Sequence, residues 1–244
     1  MNRSSFLFRD FVRAKKYLIE ALVEGDETYA MLTGETGTGK TALLRDLRSQ
    51  IDRGRTRVFY FSSAKKLGAS GLIKVTGEAL RVRTSMCHSV SLDRLLRAIA
   101  EESHSIFLWI DEAQDLPEET LAELRALAES DLEGTLRIQV LLVGLPRLRV
   151  DLQAHPHLWR RIVVREELTG LVIDELPGFL AHHFDRAQSI RLCQDGLRAL
   201  FERAGGAPGL LLPMYRAVLR QADSDTGQID VELVEEALER WELA

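Results

Sequence analysis

Gly34-Glu35-Thr36-Gly37-Thr38-Gly39-Lys40-Thr41 fits the pattern G-x-x-x-x-G-K-[ST]. These residue types at this spacing suit one chemistry, the cradling of a phosphate chain. Glycines let successive backbone N–H groups curl around phosphate oxygens, and a following helix aims its positive N-terminal end at them. Lys40 can reach the outer two phosphates of a nucleoside triphosphate, and the Thr41 hydroxyl can ligate Mg²⁺. With Ala42 at the helix start, the run Gly34 to Ala42 is the expected nucleotide-contacting segment. The flanks agree, since Thr28–Thr33 reads as a short buried strand and a helix is expected from Lys40 to Ile51. A chance glycine turn would not need that strand–loop–helix context.

Working outward, strands and helices alternate. Further strands are predicted at Val58–Phe61, Ile106–Ile110, Ile138–Val143 and Arg161–Arg165. Helices are predicted at Gly71–Val82, Ser91–Ser103 and Pro117–Ser130, with one more before the first strand. This rhythm predicts an α/β fold, a parallel sheet flanked by helices with ligand at the strands' carboxyl ends. From Leu171 the strands stop and four helices follow, over Pro177–Ala187, Asp195–Ala204, Pro208–Gln221 and Val231–Trp241. The change predicts an α/β core over residues 1–168 and a small C-terminal helical lid domain over 169–244.

The segment Ile106-Phe107-Leu108-Trp109-Ile110-Asp111-Glu112 narrows the reaction. An apolar strand ending in Asp111 places that carboxylate at the sheet's carboxyl edge, where it can hold Mg²⁺ through its water shell. Glu112, one residue on, suits the orientation and deprotonation of an attacking water. The bland alternative is a strand ending in a solvated acidic turn. Nothing reads as the guanine-selecting N-K-x-D, so ATP is the expected nucleotide.

These pieces resemble an AAA+ P-loop ATPase. More narrowly, they are similar to the branch that holds transposition regulators and general secretion pathway ATPases: the Mu-type transposition B protein, transposon target-selecting ATPases and the ExeA proteins. The resemblance rests on Leu32 to Thr41, on Trp109-Ile110-Asp111-Glu112-Ala113-Gln114-Asp115-Leu116, on Leu142-Val143-Gly144-Leu145-Pro146-Arg147-Leu148 and on Ala204-Gly205-Gly206-Ala207-Pro208-Gly209. It implies that Ser62 or Ser63 restrains the catalytic glutamate. It implies a sensor at the end of the fourth strand, where Val143-Gly144-Leu145 offers no polar side chain. The residue after the late proline is often a second sensor, an arginine, in relatives; here it is Gly209, with Arg216 the nearest substitute. Turnover that is slow or partner-dependent is therefore implied. Arg160 and Arg161 fall where relatives carry an arginine finger acting on a neighbouring subunit's ATP, which implies a homo-oligomer, a ring or a helical filament. A solvated strand entrance is the alternative for both.

The chain has 244 residues, 45% hydrophobic and 28% charged, with a net charge of −5. That is globular composition, and it disfavours a DNA binder working by bulk charge. The sum hides an asymmetry. Residues 63–97 hold seven basic residues against two acidic, whereas 111–133 hold nine acidic against one basic. Lys65, Lys66, Lys74, Arg81 and Arg83 are candidates for sequence-independent, salt-sensitive contacts to double-stranded DNA. Solvated helix faces are the bland alternative. No separate DNA-reading domain is expected.

Two cysteines, Cys87 and Cys193, lack metal spacing and are expected to be packing residues, as is Trp241 in the last helix. The pairs His155/His157 and His182/His183 are read as surface or packing residues. No apolar stretch approaches the roughly 18 residues of a membrane span. A cytoplasmic protein with no membrane span is expected, with ATP and Mg²⁺ as cofactors and a transposase as partner. An ExeA-like secretion ATPase and a regulatory ATP switch with weak turnover are the competing readings.

Overall fold

The computed structural model describes residues 5–25, 28–67, 71–130, 138–185, 191–222 and 228–243. Among them five strands form one sheet: β1 (Tyr29–Gly34), β2 (Thr56–Phe61), β3 (Ser105–Ile110), β4 (Ile138–Gly144) and β5 (Ile162–Leu168). Their order is β2-β3-β4-β1-β5. The pairings of β2 with β3, β3 with β4 and β4 with β1 are all parallel.

Burial follows position in the sheet. All six residues of β1 are buried, and so are five of six in β3. Parallel strands covered on both faces have no side for water, hence their continuous apolar runs. The border strands differ: β2 keeps Tyr60 about half exposed, and β5 carries Arg165-Glu166-Glu167 on partly exposed positions. Those charges explain why the sequence suggests a β5 ending at Arg165, whereas it runs to Leu168.

The helices before the last strand are α1 (Arg9–Leu22), α2 (Lys40–Gln50), α3 (Gly71–Ala79), α4 (His88–Glu101), α5 (Glu118–Ser130), α6 (Arg147–Gln153) and α7 (Pro156–Arg161). After it come α8 (Leu176–His183), α9 (Gln194–Ala204), α10 (Pro208–Gln221) and α11 (Val231–Glu242). The α/β class with a parallel sheet, flanking helices and C-terminal helices is as expected. Alanine 187, the predicted end of α8, lies outside the described residues.

The chain divides into two compact units. One holds Ala14–Thr33 and Leu47–Glu167, and so nearly the whole sheet. Its core gathers Met31, Leu108, Ile110, Val140 and Leu142 with Leu72, Leu95 and Leu124 from the helices. The other joins the chain up to Arg13, the stretch Gly34–Asp46 and everything from Leu168. There Leu200, Leu211, Tyr215, Val218, Val234 and Leu238 are buried among α9, α10 and α11. Within it the Asp10 carboxylate accepts from Thr169 Oγ1 at 2.5 Å, and Phe6 stands edge-on to Phe179 with ring centroids 5.5 Å apart.

Two packing expectations need correction. Cys87 is exposed at the start of α4, and Trp241, in the last turn of α11, is only half-buried. Cys193 has a local task instead: its Sγ accepts from Gly196 N–H at 3.2 Å and caps α9. His182 and His183 pack against Phe6 and Phe179. Among the described residues, no helix is long and apolar enough to cross a membrane.

Candidate functional site

The loop that follows β1 is shaped by its glycines. Gly37 and Gly39 have φ of +84° and +104°, in the region that side-chain-bearing residues avoid. Thr38 closes the loop, donating from Oγ1 to the Glu35 carbonyl at 2.8 Å. Lys40 Nζ donates to the carbonyls of Gly34 (2.6 Å) and Glu35 (3.0 Å). The helix starts at once, with Leu43 N–H on the Gly39 carbonyl at 3.0 Å. Thr36 and Thr41 are exposed, and Ala42 is half-buried.

In the same unit α10 begins against this loop. Gly209 N–H donates to the Gly37 carbonyl at 2.8 Å. A Cβ at Gly209 would stand 2.8 Å from Gly37 Cα, so two backbones touch where a side chain has no room. This gives a physical reason for glycine at the position where the family resemblance implies an arginine. Arg216, about one and a half turns before the end of α10, is exposed.

A second cluster lies in the sheet unit, at the end of β3. Asp111 N–H continues the ladder to the Phe61 carbonyl at 2.9 Å. Asp111 Oδ1 accepts from Glu112 N–H and Oδ2 from the Tyr60 hydroxyl, each at 2.9 Å. Burial, reinforced by that bond to Asp111, pushes the Tyr60 phenol up to about 12. Glu112 is exposed and sits at φ +53°, ψ +38°, left-handed for a residue with a Cβ. Such a conformation costs on the order of 1–2 kcal/mol, and strain of this kind collects at functional sites.

Side chains just beyond tie this turn to its surroundings. The Glu112 carboxylate accepts from Gln114 Nε2 at 2.7 Å, and Gln114 Oε1 accepts from Leu145 N–H at 2.9 Å. Asp115 receives Arg147 at 2.6 Å and Lys65 at 3.3 Å. Among the described residues no hydrogen bond joins Ser62 or Ser63 to Glu112; the side chain that reaches the Glu112 carboxylate is Gln114. Sequence reasoning quoted Gln114 in its motif without giving it a task. The unaccompanied Gly144 at the end of β4 was the signal.

The remaining candidates lie on the surface of the sheet unit. Arg160 and Arg161 occupy the last turn of α7 and are both exposed. Arg165, beside them, lies over the Trp159 ring at 3.9 Å. Of the basic segment, Lys74, Arg81 and Arg83 are exposed on α3 and the loop after it, whereas Lys65 is engaged with Asp115. The Lys66 side chain lies outside the described residues, as do Asp131 and Glu133 of the acidic stretch. The segment is fixed from beneath by Glu123 of α5, which is 1% exposed and pairs with His88 at the start of α4 at 3.2 Å.

Comparisons with known proteins agree with this architecture. General secretion pathway protein A of Aeromonas hydrophila is 27% identical over 192 residues, 75% of this chain. The chain spans about a third (35%) of that relative's length. Among solved structures, the Aeropyrum pernix Orc1 protein in complex with DNA superposes with a TM-score of 0.62 at 19% identity, covering 97% of this chain and 66% of its own. The Thermotoga maritima RuvB Holliday junction branch migration motor gives 0.60 at 17% identity, covering 94% and 68%. The AAA domain family matches residues 23–150, just over half of the chain and all of the elements from β1 to the start of α6. The chain belongs to the AAA domain family.

Proposed function

We propose that the chain is a Mg²⁺-dependent ATPase that binds duplex DNA without reading its sequence, assembles on it, and delivers it to or activates a transposase. The nucleotide half of this reading is carried by one observation, the left-handed glycine loop running straight into an eleven-residue helix. Backbone of that shape presents N–H groups and a positive helix end to an anion. Lys40 is assigned to the outer phosphates. Thr41 and Asp111 are hard oxygen donors suited to Mg²⁺, and each Asp111 oxygen accepts a hydrogen bond with lone pairs left for its water shell. Bound Mg²⁺ would neutralise charge on the phosphates.

Glu112 is assigned to the attacking water. It accepts the water's proton as the oxygen bonds to the γ-phosphorus and the bond to the bridging oxygen breaks, giving ADP and inorganic phosphate. Arg160 or Arg161, exposed at the end of α7, would act on a neighbouring subunit's ATP, and the helical segment 169–244 would serve as a lid. DNA contacts fall to Lys74, Arg81 and Arg83, with Lys65 and Lys66 beside them. The reading places the protein in the cytoplasm.

The Aeromonas relative favours a second reading, a secretion-pathway ATPase of the ExeA kind. A gel shift of ATP-loaded protein on random duplex separates the two. The DNA reading expects binding at 50 mM salt that weakens steeply by 200 mM, with Lys74/Arg81/Arg83→Ala flattening the log–log slope by about 0.9 per lost phosphate contact. Absence of any shift at low salt removes DNA and transposase together and leaves the secretion reading.

A further inference from the structure

In the turn Asp111–Asp115, the Gln114 side chain bridges the Glu112 carboxylate and the backbone just after β4. Gln114 Nε2 donates to Glu112 Oε2 at 2.7 Å, and Oε1 accepts the Leu145 N–H at 2.9 Å. Only one amide orientation satisfies both partners, because a carboxylate only accepts and a backbone N–H only donates. The turn that holds Gln114 is itself closed, with Asp115 N–H on the Glu112 carbonyl at 2.9 Å and the Asp115 carboxylate held by Arg147. The amide is therefore presented from a fixed backbone.

Residue 144 explains why the amide reaches so far. A Cβ added to Gly144 would collide with Gln114 Oε1 and would also stand 3.3 Å from Gln114 N and 3.2 Å from Leu148 Cδ2. The volume that a side chain at the end of β4 would fill is thus occupied by Gln114. Glu112, by contrast, is exposed, and its carboxylate is tied by Gln114.

We propose that Gln114 is a positioning residue for hydrolysis. It reaches from the turn after β3 to the end of β4, supplies there the polar group that Gly144 lacks, and fixes the Glu112 carboxylate in the orientation that activates water. This rests on the assignment of Glu112 to the attacking water. A glutamate released from the amide keeps its backbone position but samples rotamers that miss the water. Misplacement of that size costs turnover and leaves nucleotide affinity alone.

The test uses the full chain with Mg²⁺-ATP, with and without duplex DNA, and measures kcat, KM and the Kd for a fluorescent ATP analogue. Gln114→Ala is expected to lower kcat about 10- to 100-fold with KM and Kd within about two-fold. Gly144→Ala, which displaces the amide without removing it, should lower kcat comparably, and the double variant should be no worse than Gln114→Ala alone. A Gln114→Ala kcat within two-fold of wild type overturns the proposal, as does multiplication of the two losses in the double variant. Should Gly144→Ala not fold, the Gln114→Ala result decides by itself. Glu112→Gln separates the levels: turnover abolished by Glu112→Gln but untouched by Gln114→Ala removes Gln114 only. Wild-type turnover that Glu112→Gln leaves unchanged removes the Glu112 assignment and Gln114 with it.

Discussion

The loop Gly34–Lys40 and the turn Asp111–Asp115 each follow a buried strand, yet they are made of different material. The loop is made of backbone: its shape comes from Gly37 and Gly39 at positive φ, and its contact with α10 is Gly209 N–H on a Gly37 carbonyl. The turn is made of side chains, with Tyr60 on Asp111, Gln114 on Glu112, and Lys65 and Arg147 on Asp115. Glycine also means different things in the two places. Gly209 is bare because another backbone lies against it; Gly144 is bare because a side chain from the turn after β3 fills its space. Backbone-built sites tolerate no substitution of their glycines, whereas side-chain-built sites fail by losing one tie at a time.

The largest expected effects set the two regions against each other. Lys40→Ala should weaken ATP binding by about 100-fold or more and turnover with it, since it removes the one cation of the loop from the phosphates. Glu112→Gln should leave the Kd within about three-fold while kcat falls by 100-fold or more, the usual scale for loss of a general base. Fluorescent-nucleotide titration and phosphate-release assays read both. Similar Kd losses in the two variants would break the division into a binding region and a chemical one.

Gly209 gives the next effect. Gly209→Ala puts a Cβ 2.8 Å from Gly37 Cα, and backbone cannot swing aside as a side chain tip can. The expected cost is about 1–3 kcal/mol in urea unfolding, the range for overpacking, with weaker ATP binding because the loop deforms. Gly209→Arg should behave no better, although it restores the arginine frequent in relatives. Tighter ATP binding by Gly209→Arg would show that the contact is not what keeps the position bare.

How much of this the sequence reveals follows from the same contrast. The loop was readable because left-handed backbone demands glycine, and glycine spacing is visible in one dimension. The central strands were readable because burial on both faces makes them unbroken apolar runs, as in Tyr29–Leu32 and Ile106–Ile110. Asp111 and Glu112 were readable because they end such a run. The Gln114 bond to Glu112 was hidden, because Gln114 gains its second partner only when β3 and β4 lie side by side in register, with Ile110 opposite Leu142. The Tyr60–Asp111 bond was equally hidden, arising from the pairing of β2 with β3. Borders blurred where charge enters a strand, as in β5, or where a helix starts without a strong cap, as at Cys87 before α4.

The smallest expected effect compares a tyrosine in the turn's surroundings with one in the helical unit. Tyr60 and Tyr215 are both pushed up to about 12, in each case first by burial, and Tyr60 donates to the Asp111 carboxylate. A phenol whose folded value lies above its unfolded 10.0 favours the protonated form, so its contribution to stability is complete below pH 10 and is lost as pH rises towards 12. Tyr60→Phe and Tyr215→Phe should therefore each lessen the decline in urea midpoint across that window relative to wild type. At neutral pH Tyr60→Phe forfeits one hydrogen bond, about 0.5–1.5 kcal/mol. The two should part in turnover at neutral pH: Tyr60→Phe loosens Asp111 and lowers kcat a few-fold, whereas Tyr215→Phe, in another unit, leaves it unchanged. Equal kcat in both variants would reduce the Tyr60 hydroxyl to a packing group and narrow the tied region to Gln114 and Asp115.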